Sequence, residues 1–226
     1  MKRHKIFFII LFLFVLTTMI FSQEGRPSKG GKRERFEISS DKTTVELSEG
    51  KERTVLTGNA TVVTGATTIH ANKIELFGKN FNYALCSGGV TVKDLAKGIY
   101  LRCEQLFYDR EKKISRIEGY AEMLDKENNM TVKGNFLQDD SETQTTLIQI
   151  GVRIIKDDIV CRAESAKYDR KTKNLELTGK PLVIKKGDEY RATRIVLNVE
   201  SDEIALEGGV SAKMKQEEKA SENVEQ

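Results

Sequence analysis

Apolar and polar side chains alternate in short runs along most of the chain, and the runs recur. Five copies carry an apolar residue and then glycine two positions later: LTGNATVV around Gly58, CSGGVTVK around Gly88, IEGYAEML around Gly119, LTGKPLVI around Gly179 and LEGGVSAK around Gly208. Between Gly119 and Gly179 the gap is two periods long. Halfway along it Ile148, Ile150, Val152 and Ile154 keep the alternation, with Ile150 where glycine stands elsewhere, so the period is 29 to 31 residues throughout. Self-similarity at such a period is the signature of a repeat architecture.

Each repeat has a second half, in which alternation steps once by three: Ile69, Ala71, Ile74, Leu76; Leu101, Cys103, Leu106, Tyr108; Cys161, Ala163, Ala166, Tyr168; and Tyr190, Ala192, Ile195, Leu197. Period two buries one face of a strand. A step of three would throw the next side chain to the wrong face unless a bulge or bend absorbs a residue, and the recurring glycines suit the same kink. Turn signals separate the halves: Thr64–Gly65, Asp125–Asn129, Lys156–Asp158 and Lys185–Glu189 in one set, and Phe77–Asn80, Glu200–Asp202 and two copies of Tyr-Asp-Arg in the other. The phrases YDREKKISRIEG from Tyr108 and YDRKTKNLELTG from Tyr168 are thus a strand end, a charged turn and the next strand start. Beyond residue 22 no window sustains helical periodicity over three turns. The expectation is an all-β protein of roughly twelve to fourteen antiparallel strands, two per repeat, with RFEISSDKTTVELSEG from Arg35 as the lead-in pair.

Composition narrows the function classes. The formal net charge of +3 comes from Lys2, Arg3 and Lys5; without these three, the remaining basic side chains equal the 34 acidic ones. A neutral chain has no footprint for nucleic acid, whose binding is dominated by phosphate neutralisation. The N-terminus, MKRHKIFFIILFLFVLTTMIFSQEG, is a cationic stretch, an apolar run from Ile6 to Phe21 and a small residue before Gln23, the layout of a secretory signal peptide. Residues 1–22 are read as that signal, with an uncleaved anchor as the rival. Residues 23–34 are read as a polar basic linker, 35–214 as the β domain, and 215–226 as a polar disordered tail. The cysteines Cys86, Cys103 and Cys161 lack disulfide-scaffold or zinc spacing and read as small buried residues. His70 is the one histidine beyond the signal segment. No catalytic residue, metal site or cofactor is therefore expected. Asp139–Asp140 and Asp157–Asp158 read as solvated turns, and Asp109, Arg110, Asp169 and Arg170 as turn and edge chemistry.

The paired elements Φ-x-G-x-Φ and A-x-x-Φ-x-Y-D, best seen in LTGNATVVTGATTIHANKIEL (Leu56 to Leu76) and CRAESAKYDRKTKNLELTGKPLVI (Cys161 to Ile184), resemble the OstA/LptA family over roughly residues 36 to 213. That family includes the periplasmic lipopolysaccharide-transport protein LptA, its membrane-anchored relative LptC and the N-terminal domain of LptD. The resemblance implies a twisted β-jellyroll, open at both ends, whose interior carries the acyl chains of a glycolipid between membranes. It implies a periplasmic location, with lipopolysaccharide or another glycolipid and homologous LptC-like and LptD-like jellyrolls as partners, and no nucleic acid. An open sheet also leaves terminal strands able to accept another chain, so head-to-tail homo-oligomers are expected.

The interior candidates are Val62, Ile69, Ile74, Leu76, Leu101, Leu106, Met123, Val132, Leu137, Ile154, Leu177, Val183, Ile195 and Leu206. They suit a lining for flexible acyl chains and equally an ordinary filled β-core. Three readings stay open: a lipid-binding transport protein forming part of a bridge to the outer membrane, an LptC-like anchored component of the same pathway, and a structural or adhesive β-repeat protein.

Overall fold

A computed structural model describes residues 36–215 apart from 49 and 202. The expected signal segment, the linker and all but the first residue of the expected tail lie outside the described residues. The described residues form one sheet of sixteen strands, all pairs antiparallel: β1 (Phe36–Ser39), β2 (Lys42–Glu46), β3 (Arg53–Thr64), β4 (Thr67–Phe77), β5 (Tyr83–Asp94), β6 (Ile99–Asp109), β7 (Ile114–Asp125), β8 (Met130–Asp140), β9 (Thr145–Lys156), β10 (Ile159–Asp169), β11 (Asn174–Thr178), β12 (Leu182–Lys185), β13 (Asp188–Arg191), β14 (Arg194–Asn198), β15 (Ile204–Glu207) and β16 (Ser211–Lys213). The backbone of the architecture is a meander, each strand from β3 to β10 pairing with the next through a short turn. Among the described residues the sheet does not close: β1 and β2 pair only with β3, β15 only with β14, and β16 only with β13.

Every long pairing breaks register once near its middle, for instance between Thr57 and Ala60 of β3 and between His70 and Lys73 of β4. The step of three in the sequence is this bulge. Strand β10 shows its consequence. Its Ser165–Asp169 end pairs with β11 and its Ile159–Arg162 end with β12, so β11 and β12 are two halves of one crossing. Between them lie Gly179, Lys180 and Pro181, and proline cannot donate to a ladder. The pairs β1 with β2, β13 with β14, and β15 with β16 are broken crossings of the same kind. Sixteen strands are therefore twelve crossings, each bent once, and the bends divide the sheet into two half-sheets.

Residues from the two half-sheets share one interior. Leu56, Ile74, Leu106 and Ile117 of one half-sheet cluster with Val62, Ile69, Val92 and Leu101 of the other. A second cluster does the same from β8 to β14, with Ile148, Ala166, Leu177 and Ile195 against Val132, Ile154, Cys161 and Val183. Met123 on β7 and Leu137 on β8, both only partly buried, pack against both clusters and join them.

On β3, β5, β7 and β9 the bend is a pair of residues of which at least one has positive φ. Gly119 has φ 81°, and a Cβ there would run into the side chain of Glu104 on the neighbouring strand. The fourth repeat keeps its bend although isoleucine stands in the glycine place. Ile150 itself takes φ 63° and Gly151 after it φ 70°, while the register shift falls between Gln149 and Val152 as elsewhere. The left-handed conformation costs an L-residue about 1–2 kcal/mol. The bulge also turns Ile150 outward to 59% exposure, although sequence alternation puts it on the same face as Ile148 and Val152.

Candidate functional site

All fourteen interior candidates point inward. Val62, Ile69, Ile74, Leu101, Leu106, Val132, Ile154, Leu177, Val183 and Ile195 are buried, and Leu76, Met123, Leu137 and Leu206 are partly buried against the same clusters. Leu56, Val92, Ile117, Ile148, Val152, Leu175 and Leu197 join them; these extra members follow the same period-two rule on the neighbouring strands. The apolar lining thus runs unbroken from β3 to β14, and Leu206 extends it to β15.

The three cysteines belong to this lining. Each is a free thiol, buried, and burial pushes its pKa up to about 12. Cys103 sits in the small-residue place held by Ala71 and Ala163, next to the bend. Among the described residues no group of three or more histidine, cysteine or carboxylate side chains could hold a metal ion. His70 meets the Thr61 hydroxyl at 3.0 Å through Nδ1.

The turns are held by their own carboxylates. Asp94 Oδ1 accepts from the amides of Ala96 and Lys97, Asp125 Oδ1 from Asn128, Asp140 Oδ1 from Glu142 and Thr143, and Asp169 Oδ1 from Lys171 and Thr172. Such side-chain-to-amide bonds are why Asp recurs at strand ends here.

One expected turn residue is not solvated. Asp139 is 1% exposed, because period two from Leu137 aims it into the interior. It lies in a row of polar-tipped side chains crossing five strands, register partners in turn: Tyr108 on β6, Ser115 on β7, Asp139 on β8, Thr146 on β9 and Tyr168 on β10. Thr146 Oγ1 donates to Asp139 Oδ1 at 2.6 Å, and Arg170 Nη1 donates to the same oxygen at 2.6 Å. Burial raises the Asp139 pKa, with Thr146 and Arg170 pulling it back. The row follows the rim of one half-sheet, beside the hairpin turns, and only strand register brings its members together, since they are not adjacent in the sequence.

A lining of aliphatic side chains inside a bent, unclosed, repeat-built sheet defines a class of protein, the open β-jellyrolls. The chain belongs to the LptA/(LptD N-terminal domain) LPS transport protein family, whose signature covers residues 37–203. It is also similar to the crystal structure of LptH, described as "the LptA homologous periplasmic component of the conserved lipopolysaccharide transport device from Pseudomonas aeruginosa", with 11% identity, 81% of this chain and 96% of that chain covered, and a TM-score of 0.25. No curated protein matches the chain.

Proposed function

We propose that this chain is a periplasmic carrier whose interior shields the acyl chains of lipopolysaccharide or a similar glycolipid, while the head group rides outside. The observation that carries the reading is the continuous aliphatic lining between two half-sheets that are joined only at their bends. An exposed acyl chain costs about 0.8 kcal/mol per CH₂ in water, so a chain of a dozen carbons asks for roughly 10 kcal/mol of shielding. Apolar walls of this kind supply it.

The free chain adds a mechanical condition. Most lining side chains are under a tenth exposed, so an entering acyl chain must part the half-sheets and replace their mutual contacts. Met123 and Leu137, partly buried between the two clusters, are where that parting starts with least loss.

The sheet ends support a bridge. On the first crossing Ile38, Val45 and Leu47 are 44%, 54% and 73% exposed; after β15, Val210 and Met214 are 55% and 71% exposed. Unpaired strand edges flanked by exposed apolar side chains suit strand addition by a homologous jellyroll, and a head-to-tail contact of this kind repeats without closing. Cargo would then pass along one continuous interior.

A photo-crosslinking amino acid placed at Leu76, Leu137 or Leu206, with outward Arg102 as control, tests the carrier reading. Capture of an amphiphile from the cell envelope at the inward positions and not at Arg102 is the expected result. The packed interior itself favours a second reading, a structural β-repeat protein with a filled core. Folded protein that captures no lipid at any inward position establishes that reading instead.

A further inference from the structure

Tyr108 is 1% exposed and lies inside the first apolar cluster. Its hydroxyl is buried and has no hydrogen-bond partner in the protein. Among the described residues the other such atom is Oε2 of Glu52, in the turn before β3, a residue that is itself only half-buried. An unsatisfied buried hydroxyl costs free energy that phenylalanine at the same place would avoid. In other repeats the equivalent inward place is filled without such an atom, by Leu76 and Leu197.

Elsewhere in the polar row Asp139 and Thr146 are satisfied from within. Asp139 takes Thr146 and Arg170, and Arg170 Nη2 also donates to the Asp140 carbonyl at 2.9 Å. Tyr108 stands at the other end of the row, between Ala84 and Ser115, out of that network. It is the last inward residue of β6 before the turn, so its hydroxyl meets the part of a guest that lies nearest the rim.

We propose that Tyr108 Oη is a hydrogen-bonding subsite for a hydroxyl or ester carried along an acyl chain, close to the head group. The inference rests on the carrier reading above. The interior then discriminates between substituted chains and plain hydrocarbon, which apolar walls alone cannot do.

The test compares tetradecanoic acid with a series of its monohydroxylated forms, by displacement of a fluorescent fatty acid from the wild-type protein and from Tyr108→Phe. One hydroxylated form should bind the wild type about threefold to tenfold more tightly than the plain acid, the worth of one added hydrogen bond. Tyr108→Phe should erase that preference by weakening the hydroxylated form alone, and should melt no lower than wild type. Equal affinity across the series in the wild type, as a trapped water on Tyr108 would produce, overturns the subsite. So does a preference that survives in Tyr108→Phe, or a melting temperature lowered by several degrees. If neither protein binds any of the acids, the carrier reading falls and the subsite with it, whereas binding without preference removes the subsite alone.

Discussion

Arg170 reaches back across one repeat to Asp139, placing Nη1 2.6 Å from a carboxylate oxygen whose side chain is 1% exposed. The Arg170 side chain is 18% exposed, and its Nη2 closes on the carbonyl of Asp140. Two successive hairpin turns on the same rim are thereby tied together. The pair also explains the repeated Tyr-Asp-Arg phrase: the Asp caps its own turn, and the Arg serves the neighbouring one.

Breaking this pair from one side should be costly. Arg170→Met leaves Asp139 buried without its cation and should lower stability by about 3–5 kcal/mol, read from urea unfolding. The double variant Arg170→Met with Asp139→Leu should recover much of the loss. A single variant within 0.5 kcal/mol of wild type, roughly the size of an ordinary surface change, means the pair is not buried as described.

Two carboxylates should act on the acid limb of the stability curve with opposite sign. Burial pushes Glu75 up, but Lys73 and Arg53, 2.7 and 2.6 Å away, outweigh it and hold its pKa below the usual range. Its contribution is present above the unfolded carboxylate pKa of about 4.3 and is lost as pH falls through the folded value. Asp139 is raised by burial, so the folded state holds its proton more tightly and this term weakens the fold as pH rises above about 3.9. Glu75→Gln should therefore flatten the acid loss of stability, and Asp139→Asn should steepen it. Chemical unfolding at a series of pH values separates the two.

Glycine should be required at one bend and preferable to the resident residue at another. At Gly179, φ 76°, an added Cβ would lie 2.5 Å from Cβ and 3.4 Å from Cα of Glu164, so Gly179→Ala should cost about 1–3 kcal/mol. Ile150 already carries the left-handed strain, exposed and with no core contact to lose. Ile150→Gly should raise stability by about 1 kcal/mol. Opposite shifts in denaturation midpoint are the expected readout.

The thiols should be silent in the native protein. With burial raising all three to about 12, iodoacetamide near neutral pH should label Cys86, Cys103 and Cys161 only as fast as the chain unfolds. Rapid labelling of Cys103 and Cys161 without denaturant places their strands one residue out of register.

End-to-end association should depend on the free edge of β15. Asn198 donates to the Glu203 carbonyl at 2.9 Å, and antiparallel alternation then points the amides of Glu203 and Ala205 at β14 and that of Ile204 at the open edge. Ile204→Pro should remove an edge donor while leaving those ladder bonds in place, and should shift sedimentation toward monomer. Unchanged association disproves a β15-edge bridge and leaves the lipid interior untouched.

Much of the fold was written locally. Period two marks which face of each strand is apolar, the step of three and the recurring glycine mark where it bends, and Asp, Asn and Gly mark the turns. These are properties of neighbouring residues, so they determined the all-β repeat, the bend positions and the inward set from Val62 to Leu206 before any contact was known. What only the tertiary structure decided depends on residues about thirty positions apart. Alternation placed Ile150 with the core, but the bulge rotated it out. Asp139 looked like a solvated turn residue until the register of β7, β8 and β9 enclosed it and Arg170 closed over it. Tyr108 differs from Tyr168 by no local signal, and only the packing of two half-sheets buries the Tyr108 hydroxyl without a partner. Face and period are fixed by backbone geometry within a strand, whereas burial and hydrogen-bond satisfaction are fixed by which strands meet.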